Sequence, residues 1–286
     1  MKSSRLLATG LVASTLSFFG AATTQAVTLQ EIQERDEIRI AVANEIPYGF
    51  MDLSGNAKGV GPEVAQHIAK TLGISNVKWE TAAFGSLIPG LKAGRFDMVA
   101  AEMAILPQRC QQVLFSEPNS SYGEGLLVAQ GNPKKLNAFE QFAQGELNVA
   151  IMAGADQLEM LQALGVPDAR MVTIANNADA ISTVATGRAD AYAATSLTVA
   201  ELAAKSNKVE AANPFNDPVI NGEEVRSWGG FTFAQGSETL QQAVNDALAK
   251  FKETDDWKSI LQNYGFSPTD INASFKKTTA QLCEAQ

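Results

Sequence analysis

The alternation of strand-like and helix-like segments constrains the fold of this chain more than any other feature of its sequence. Residues 37–44 alternate apolar and other side chains, as a half-buried strand does. Residues 61–73 then place apolar side chains at helical spacing, with Pro62 near the start and Gly73 at the end. The run is completed by a strand, a helix and a buried strand, at 77–80, 86–94 and 96–103. This β-α-β-α-β order predicts a mainly parallel sheet covered by helices.

The same order of segments returns in a second run, so the chain is predicted to contain two α/β units. Its strands and helices alternate over 147–154, 156–165, 171–175, 177–187, 189–194 and 195–205. A loop-like stretch that becomes a strand after Tyr122 joins the units, and a connection rich in Pro and Asn at 213–224 leads back to another strand. Two helices, 237–253 with Ser237 as N-cap and 255–265, end the pattern. Ligands of open parallel sheets bind beyond the carboxyl ends of the strands, which predicts a binding cleft between the units.

The first 26 residues predict export. Lys2 and Arg5 precede a short apolar run, and small residues lead up to Ala26, which is the pattern of a secretory signal peptide over 1–26. A membrane anchor is the alternative, although the apolar run is short and broken by Thr and Ser. Removal of the two basic residues takes the net charge from −9 to −11. Because nucleic-acid binding needs basic patches, we expect no nucleic-acid partner.

Cys110 and Cys283 are the two cysteines of the chain. In an oxidising compartment an even number of cysteines suggests a disulfide, and two free thiols are the alternative. The single histidine, His67, falls at helical spacing with apolar neighbours and is expected to be an ordinary helix residue. No spacing typical of a metal site is present, so we expect no metal and no cofactor.

Four motifs resemble the extracytoplasmic solute-binding proteins of polar amino-acid-type ABC importers, bacterial solute-binding protein family 3. They are "ANEIPYGF", "FGSLIPGLKAGRFD", "LPQRCQQVLFSEP" and "GRADAYAATS", at 43–50, 84–97, 106–118 and 187–196. Within that family the "RC" at 109–110, the run 190–199 and a cysteine near the C-terminus are most similar to the ectoine/hydroxyectoine-binding branch. In that branch the two cysteines pair, which supports a Cys110–Cys283 disulfide here.

The resemblance implies a periplasmic binding protein fold (type II) with two α/β lobes, in which each mainly parallel sheet is flanked by helices. Lobe 1 is expected over 27–125 and 225–286, and lobe 2 over 126–224, with the ligand in the cleft between them. The chain is then expected to be exported to the periplasm or cell envelope and to be a monomer. Its expected partners are a small zwitterionic solute, with ectoine or hydroxyectoine the first candidate, and the transmembrane subunits of an ABC permease.

The resemblance also implies roles for individual residues. Arg109 is expected to hold the ligand carboxylate through a bidentate pair. Tyr48 and Phe84 are expected to face a delocalised or quaternary cation with their rings, and Glu45 to pair with that cation. Gly154 lets backbone N–H groups approach the carboxylate. The other ligand-facing positions that the resemblance implies are Glu102, Ala104, Ala155 and Thr195.

Several of these positions depart from the family pattern. The ectoine branch usually has a third aromatic residue where this chain has Ala104. Amino-acid binders usually have Gly or Ser at the position of Glu102, Thr or Ser at that of Ala155, and an ammonium-binding Asp at that of Thr195. Thr195 therefore argues against an α-amino acid bound in the usual way, whereas Glu102 is a second acidic candidate in the cleft.

Each role has a structural alternative. Arg109 could pair with Glu102 or with another surface carboxylate, and Glu102 could be only a structural partner. Tyr48 and Phe84 could simply pack between the lobes, and Thr195 could cap a helix. Trp228, at the second crossing, is expected to pack at the hinge.

Three classes of function remain open at this stage. The first is capture of a solute for an importer, with a polar or cationic amino acid as the alternative ligand. The second is an enzyme similar to a periplasmic cyclohexadienyl dehydratase, in which Glu45 or Glu102 acts as a general acid. We expect no enzyme, because no Ser-His-Asp or Cys-His set is present. The third is a soluble partner that presents its ligand to a receptor.

Overall fold

The computed structural model describes residues 26–284. The predicted signal peptide, 1–26, lies outside the described residues except for Ala26. Within the described part of the chain, no helix is both long enough and apolar enough to span a bilayer.

The strands fall largely where the sequence predicts them, with additional short ones. They are β1 Glu37–Val42, β2 Phe50–Met51, β3 Ala57–Lys58, β4 Asn76–Thr81, β5 Met98–Ala104, β6 Val113–Phe115, β7 Ser120–Tyr122, β8 Glu124–Ala129, β9 Val149–Met152, β10 Met171–Ile174, β11 Ala191–Thr195, β12 Val209–Ala211, β13 Val219–Ile220, β14 Glu223–Glu224 and β15 Ser227–Ala234. The pairs β2–β3 and β13–β14 form separate small hairpins.

The helices alternate with these strands. They are α1 Leu29–Arg35, α2 Val60–Thr71, α3 Leu87–Lys92, α4 Pro107–Cys110, α5 Gln157–Ala163, α6 Ala178–Ala185, α7 Ser196–Ala204, α8 Glu238–Lys252, α9 Asp255–Asn263, α10 Pro268–Ala273 and α11 Thr279–Glu284. Short 3₁₀ turns lie at Phe84–Ser86, Phe139–Ala143 and Asp168–Arg170.

Each of the two large sheets is mixed and follows the same plan. The first has the order β4-β1-β5-β15-β6, with β7 also on β15, and the second has the order β10-β9-β11-β8-β12. In each sheet three parallel strands come first and an antiparallel strand, β15 or β8, follows. We name the part of the molecule around the first sheet lobe 1 and the part around the second sheet lobe 2. The prediction of two α/β lobes is confirmed, and each antiparallel strand is the one that enters its lobe from the other.

Two crossings connect the lobes at one end of the sheets. Gly123 separates β7 of the first sheet from β8 of the second, and residues 212–226 lead back to β15. The crossings touch, because the backbone N–H of Glu124 donates to Asp217 Oδ1 at 3.0 Å. Beside the second crossing, Trp228 Nε1 donates to the carbonyl of Ala273 at 2.9 Å, which fixes the start of β15 to the C-terminal helices.

The apolar core is continuous across the two lobes. One buried cluster joins Val99 and Phe84 of lobe 1 to Met152 and Tyr192 of lobe 2. Two further clusters lie on the outer sides of the sheets, one under the helices of each lobe. The lobes are therefore packed together in a closed arrangement, and the strand ends that the sequence marks as a binding region face one another.

Candidate functional site

A small cavity lies between the lobes, where the carboxyl ends of β1, β5, β9 and β11 meet. Its lining combines aromatic, acidic and small side chains from both lobes. The lining residues are Glu45, Tyr48, Phe84, Ala101, Glu102, Ala104, Tyr122, Met152, Ala155, Asp156, Gln157, Tyr192, Ala194 and Thr195. This set contains no lysine, arginine or histidine, so the cavity is acidic.

Hydrogen bonds between side chains of the two lobes close this cavity. Tyr48 Oη donates to Thr195 Oγ1 at 2.7 Å, and Thr198 Oγ1 donates to Glu45 Oε1 at 2.8 Å. Thr195 also caps α7, because its hydroxyl accepts from the backbone N–H of Thr198 at 3.3 Å. Capping and contact with the other lobe are thus combined in one side chain, so the ordered start of α7 holds Thr195 in place for Tyr48.

Aromatic rings form most of the apolar wall. Tyr48 and Tyr122 pack with their ring centroids 5.1 Å apart, and Phe84 and Tyr192 complete the set. The sequence analysis identified Tyr48 and Phe84 but did not identify the other two rings. Tyr192 lies two residues before Ala194 on β11, so the period of two along a strand places both on the same face. Because Thr195 and not Ala194 was the predicted ligand position on this strand, the spacing alone did not point to Tyr192.

Glu45 is the acidic group that the sequence analysis placed nearest to a ligand cation. It is buried and lies after the end of β1. Burial raises the pKa of Glu45, hydrogen bonds from Asn177 and Thr198 lower it, and the charge of Asp156 raises it further. A buried carboxylate without a cation beside it is costly, so Glu45 favours the entry of a positively charged group.

Glu102 is bound to its own lobe. It has a left-handed backbone conformation with φ of 49°, and its carboxylate accepts from Asn119 Nδ2 at 2.8 Å and from Ser120 Oγ. Asn119 in turn accepts from Trp257 Nε1 at 2.9 Å. Burial raises the pKa of Glu102, and the two hydrogen bonds and the Lys252 charge oppose that rise. The Glu102 side chain therefore connects the cavity wall to the C-terminal helices.

Arg109 lies beside the cavity and joins the two lobes. Nη1 donates to the carbonyl of Ala104 and Nη2 to that of Gly154, both at 2.9 Å. The guanidinium carbon is 5.6 Å from the centroid of the Phe84 ring. Arg109 and Gly154 line a neighbouring groove, and Phe84 lines both that groove and the cavity. Arg109 thus places a positive charge beside Phe84 of the aromatic wall.

The described structure brings seven of the nine predicted ligand positions to the cavity and two to the groove next to it. The seven are Glu45, Tyr48, Phe84, Glu102, Ala104, Ala155 and Thr195, and the two are Arg109 and Gly154. Besides the tyrosines, Asp156 and Gln157 line the cavity, and neither was among the predicted ligand positions although both follow β9 closely. Their position at the end of a parallel strand was the available signal.

The predicted disulfide is present. Cys110 and Cys283 are bonded, with their Cα atoms 5.7 Å apart, so α4 is linked to α11. Arg109 is the residue before Cys110, and the disulfide therefore anchors the short helix that carries the arginine. Within residues 26–284, no cluster of three or more His, Cys, Asp or Glu side chains has the arrangement of a metal site.

Comparison with known proteins agrees with this architecture. Residues 38–267 match the bacterial extracellular solute-binding proteins, family 3. The chain belongs to this family. This solute-binding protein is 53% identical to a probable amino-acid ABC transporter periplasmic-binding protein of Sinorhizobium fredii, over 98% of this chain and 95% of the relative.

More distant relatives and solved structures are also similar to this chain. A putative ABC transporter arginine-binding protein of Escherichia coli is 26% identical over 89% of this chain and 97% of that protein. The crystal structure of EhuB in complex with hydroxyectoine is 30% identical, with a TM-score of 0.81, and covers 90% of this chain and 98% of the other. An ancestral amino-acid-binding protein, described as a precursor of cyclohexadienyl dehydratase, is 29% identical with a TM-score of 0.72, over 82% of this chain and 98% of that one.

Together these findings assign the class of function. This solute-binding protein is the substrate-binding component of an amino-acid-type ABC importer, and it is not an enzyme. Its partners are a small solute and the membrane subunits of the importer.

Proposed function

We propose that the mature protein works in the periplasm and binds a small zwitterion whose positive charge is carried on nitrogen. The observation that carries this proposal is the pairing of aromatic rings with carboxylates in a cavity whose lining has no basic side chain. Ring faces and carboxylates both attract a cation, and exclusion of water strengthens that attraction. Ectoine or hydroxyectoine is the first candidate.

Three features support an ectoine-type solute. A delocalised cation fits against ring faces, and Tyr122 supplies an additional ring although position 104 is an alanine. Thr195 is a neutral group, so the usual acidic partner of an α-ammonium is absent there. The neighbour with a TM-score of 0.81 is a complex with hydroxyectoine. In this binding mode Glu45 pairs with the cation while Tyr48 and Phe84 face it.

Arg109 is proposed to bind the carboxylate of the solute. A guanidinium has five N–H donors, and Arg109 directs two of its groups at backbone carbonyls, one in each lobe. A carboxylate at the edge of the cavity can take up the remaining donors. Gly154 is proposed to bring its backbone N–H towards the same carboxylate, whereas the N–H of Ala155 donates to the carbonyl of Met152 at 3.1 Å.

A cationic amino acid is the second candidate. The buried carboxylates Glu45 and Asp156 at the cavity favour it, since a guanidinium or an ammonium group compensates negative charge at close range. The putative arginine-binding relative of Escherichia coli is in line with it.

Binding is proposed to act by a shift of population between open and closed forms. Tyr48 and Glu45 contact lobe 2 only when the cleft is closed, and a solute that touches both lobes stabilises that form. The two lobes are proposed to move against each other as rigid bodies, with the crossings at Gly123 and residues 212–226 as the hinges. The closed form is then the one presented to the permease.

A thermal-shift panel with the mature chain tests the proposal. The panel contains ectoine, hydroxyectoine, L-arginine, the neutral analogue L-citrulline, L-glutamate and D-glucose. A solute present at 100 times its Kd should raise the free energy of unfolding by about 2.7 kcal/mol, which is readily measured. We expect a shift with ectoine or hydroxyectoine, or with L-arginine but not L-citrulline.

A matched pair of variants links that shift to the cavity. Glu45→Gln should reduce the response, whereas Glu146→Gln removes the same charge from an exposed loop of lobe 2 and should leave it unchanged. Stabilisation by D-glucose alone, which carries no charge, would contradict the proposal.

A further inference from the structure

Glu124 is a buried carboxyl group that the proposed binding mode does not use. It is the first residue of β8, directly after Gly123 at the first crossing, and it is 2% exposed. Oε2 accepts from Gln157 Nε2 at 2.7 Å, and Oε1 has no hydrogen-bond partner in the described structure. A buried polar atom without a hydrogen-bond partner costs free energy, so a negative charge on this oxygen is unfavourable unless a proton or a donor accompanies it.

Asp156 precedes Gln157, the residue that donates to Glu124, and the charge of Asp156 acts on Glu124. Asp156 is 6% exposed, and it precedes α5 without making a capping hydrogen bond. Its Oδ2 instead accepts from Ser227 Oγ at 3.2 Å, and Ser227 is the first residue of β15 after the second crossing. Because the two residues lie beside both crossings, we name Glu124 and Asp156 the hinge carboxyl pair.

The charges that act on Glu124 are mostly negative. Burial raises the pKa of Glu124 well above its usual value, the charges of Asp156, Asp217 and Glu45 raise it further, and the hydrogen bond from Gln157 opposes them. The charge of Glu124 also acts on the Tyr48 phenol, whose pKa it raises after the larger effect of burial. Asp217 lies at the second crossing with Glu224 and Arg226. No basic side chain of the described residues is among the groups that act on Glu124.

We propose that Glu124 holds a proton when the cleft is closed without a solute, and that a protonated nitrogen of the solute replaces this proton when it binds. The inference rests on the proposed function, because it needs a solute with a nitrogen cation. Asp156 and Gln157 line the cavity, and the hydrogen bond from Gln157 connects Glu124, which lies behind the lining, to it. The exchange is balanced in charge: the carboxyl group gives its proton to the buffer, and the carboxylate that remains pairs with the cation.

The position of the pair couples this exchange to closure. Glu124 follows the first crossing, and the Ser227 that donates to Asp156 follows the second. Opening about these crossings separates the Ser227 donor from Asp156 and admits water to both carboxyl groups. In the open form water can hydrogen-bond to Glu124 Oε1, so the negative charge of Glu124 costs little free energy there. A proton or a cation is therefore needed only in the closed form.

The proton is tested first on the ligand-free protein. A carboxyl group whose pKa is higher in the folded than in the unfolded protein contributes to stability fully below the unfolded pKa of 4.5. This contribution is lost as the pH rises from 4.5 through the folded pKa. Glu124→Gln mimics the protonated group, so its Tm should exceed the wild-type Tm at pH 8 and approach it near pH 4.5. Asp156→Asn should shift the loss of stability to lower pH, because it removes a charge that raises the pKa of Glu124. Superimposable Tm–pH curves for wild type and Glu124→Gln would overturn the proposal, and Glu146→Gln is the control.

The exchange is tested by calorimetry with hydroxyectoine and L-arginine, each in phosphate and in Tris at pH 7.5. The two buffers differ in ionisation enthalpy, so the difference in heat counts the protons released. We expect release of up to about one proton per bound solute from the wild type and much less from Glu124→Gln. We also expect Glu124→Gln to bind about tenfold more weakly, a loss typical of a charged hydrogen bond. Equal proton release from both proteins would refute the exchange. If neither solute binds the wild type, the proposed ligand class fails, while the Tm–pH curves still decide whether Glu124 holds a proton.

Discussion

Loss of the Cys110–Cys283 disulfide should destabilise the protein strongly, because the bond closes a very long loop. The two cysteines are separated by 173 positions, and the link joins α4 in the middle of the chain to α11 at its end. Without the bond, the unfolded chain gains the conformational freedom of that loop, whereas the folded packing around it changes little.

The expected size follows from the loop length. For a separation of 173 positions, the chain-entropy relation gives about 5 kcal/mol at 25 °C, and native disulfides commonly contribute about 2–4 kcal/mol. For a chain of this size each kcal/mol changes the Tm by roughly 2–4 °C, so we expect the Tm to fall by about 5–15 °C.

The assay is thermal unfolding of the mature protein with and without a phosphine reductant. The chain has two cysteines, so an effect of the reductant is an effect on this bond. The Cys110→Ala/Cys283→Ala variant is the control, because it should unfold at the lower temperature and ignore the reductant. A change in Tm below about 2 °C would refute the reasoning from loop closure.

Three further predictions concern single side chains. Arg109→Ala removes the donors to the Ala104 and Gly154 carbonyls and should abolish binding of carboxylate-bearing solutes; unchanged affinity by calorimetry would exclude its proposed role. Tyr48→Phe deletes a hydrogen bond between the lobes and should lower affinity by roughly 0.5–1.5 kcal/mol, or about 2- to 13-fold, whereas an equal Kd would show that this hydroxyl does not stabilise the closed form. Lys252→Met leaves buried carbonyls unpaired and should lower the free energy of unfolding in urea by about 1–3 kcal/mol.

The alternating segments of the fold could be predicted because their signals are local. The helix expected at 61–73 is α2 at Val60–Thr71, and its apolar side chains face lobe 1 as their spacing indicates. The short strands β6 and β7 could not be predicted. Each has three residues, too few for a periodic signal, and both pair with β15, which is more than 100 residues later in the chain.

Capping could be predicted only in part. Ser237 does precede α8, as expected, but its hydroxyl accepts from the backbone N–H of Val27 at 3.1 Å rather than capping the helix. Sequence patterns identify the end of a helix, whereas the N-terminal segment that competes for the serine comes from a distant part of the chain.

The candidate site shows the same division. The strand-end rule and the family motifs identified Glu45, Tyr48 and Thr195, which the structure places together at the cavity. The direction of a side chain was not predictable. Glu102 has a left-handed backbone, and its carboxylate is bound by Asn119 and Ser120. These residues lie near Glu102 because β15 pairs with β5 on one side and with β7 on the other, a pairing that no local sequence pattern indicates. Glu124 was missed because its burial depends on the closure of the lobes about the crossings.

Direct titration of the mature chain, residues 27–286, with hydroxyectoine, ectoine, L-arginine and D-glucose is the measurement that tests the central claim most directly. The claim is that an acidic, aromatic cleft captures a nitrogen cation that also carries a carboxylate. The account predicts saturable one-to-one binding of at least one of the three charged solutes, with that binding lost in Arg109→Ala. Binding of D-glucose, with no heat from any of the three charged solutes, would contradict it.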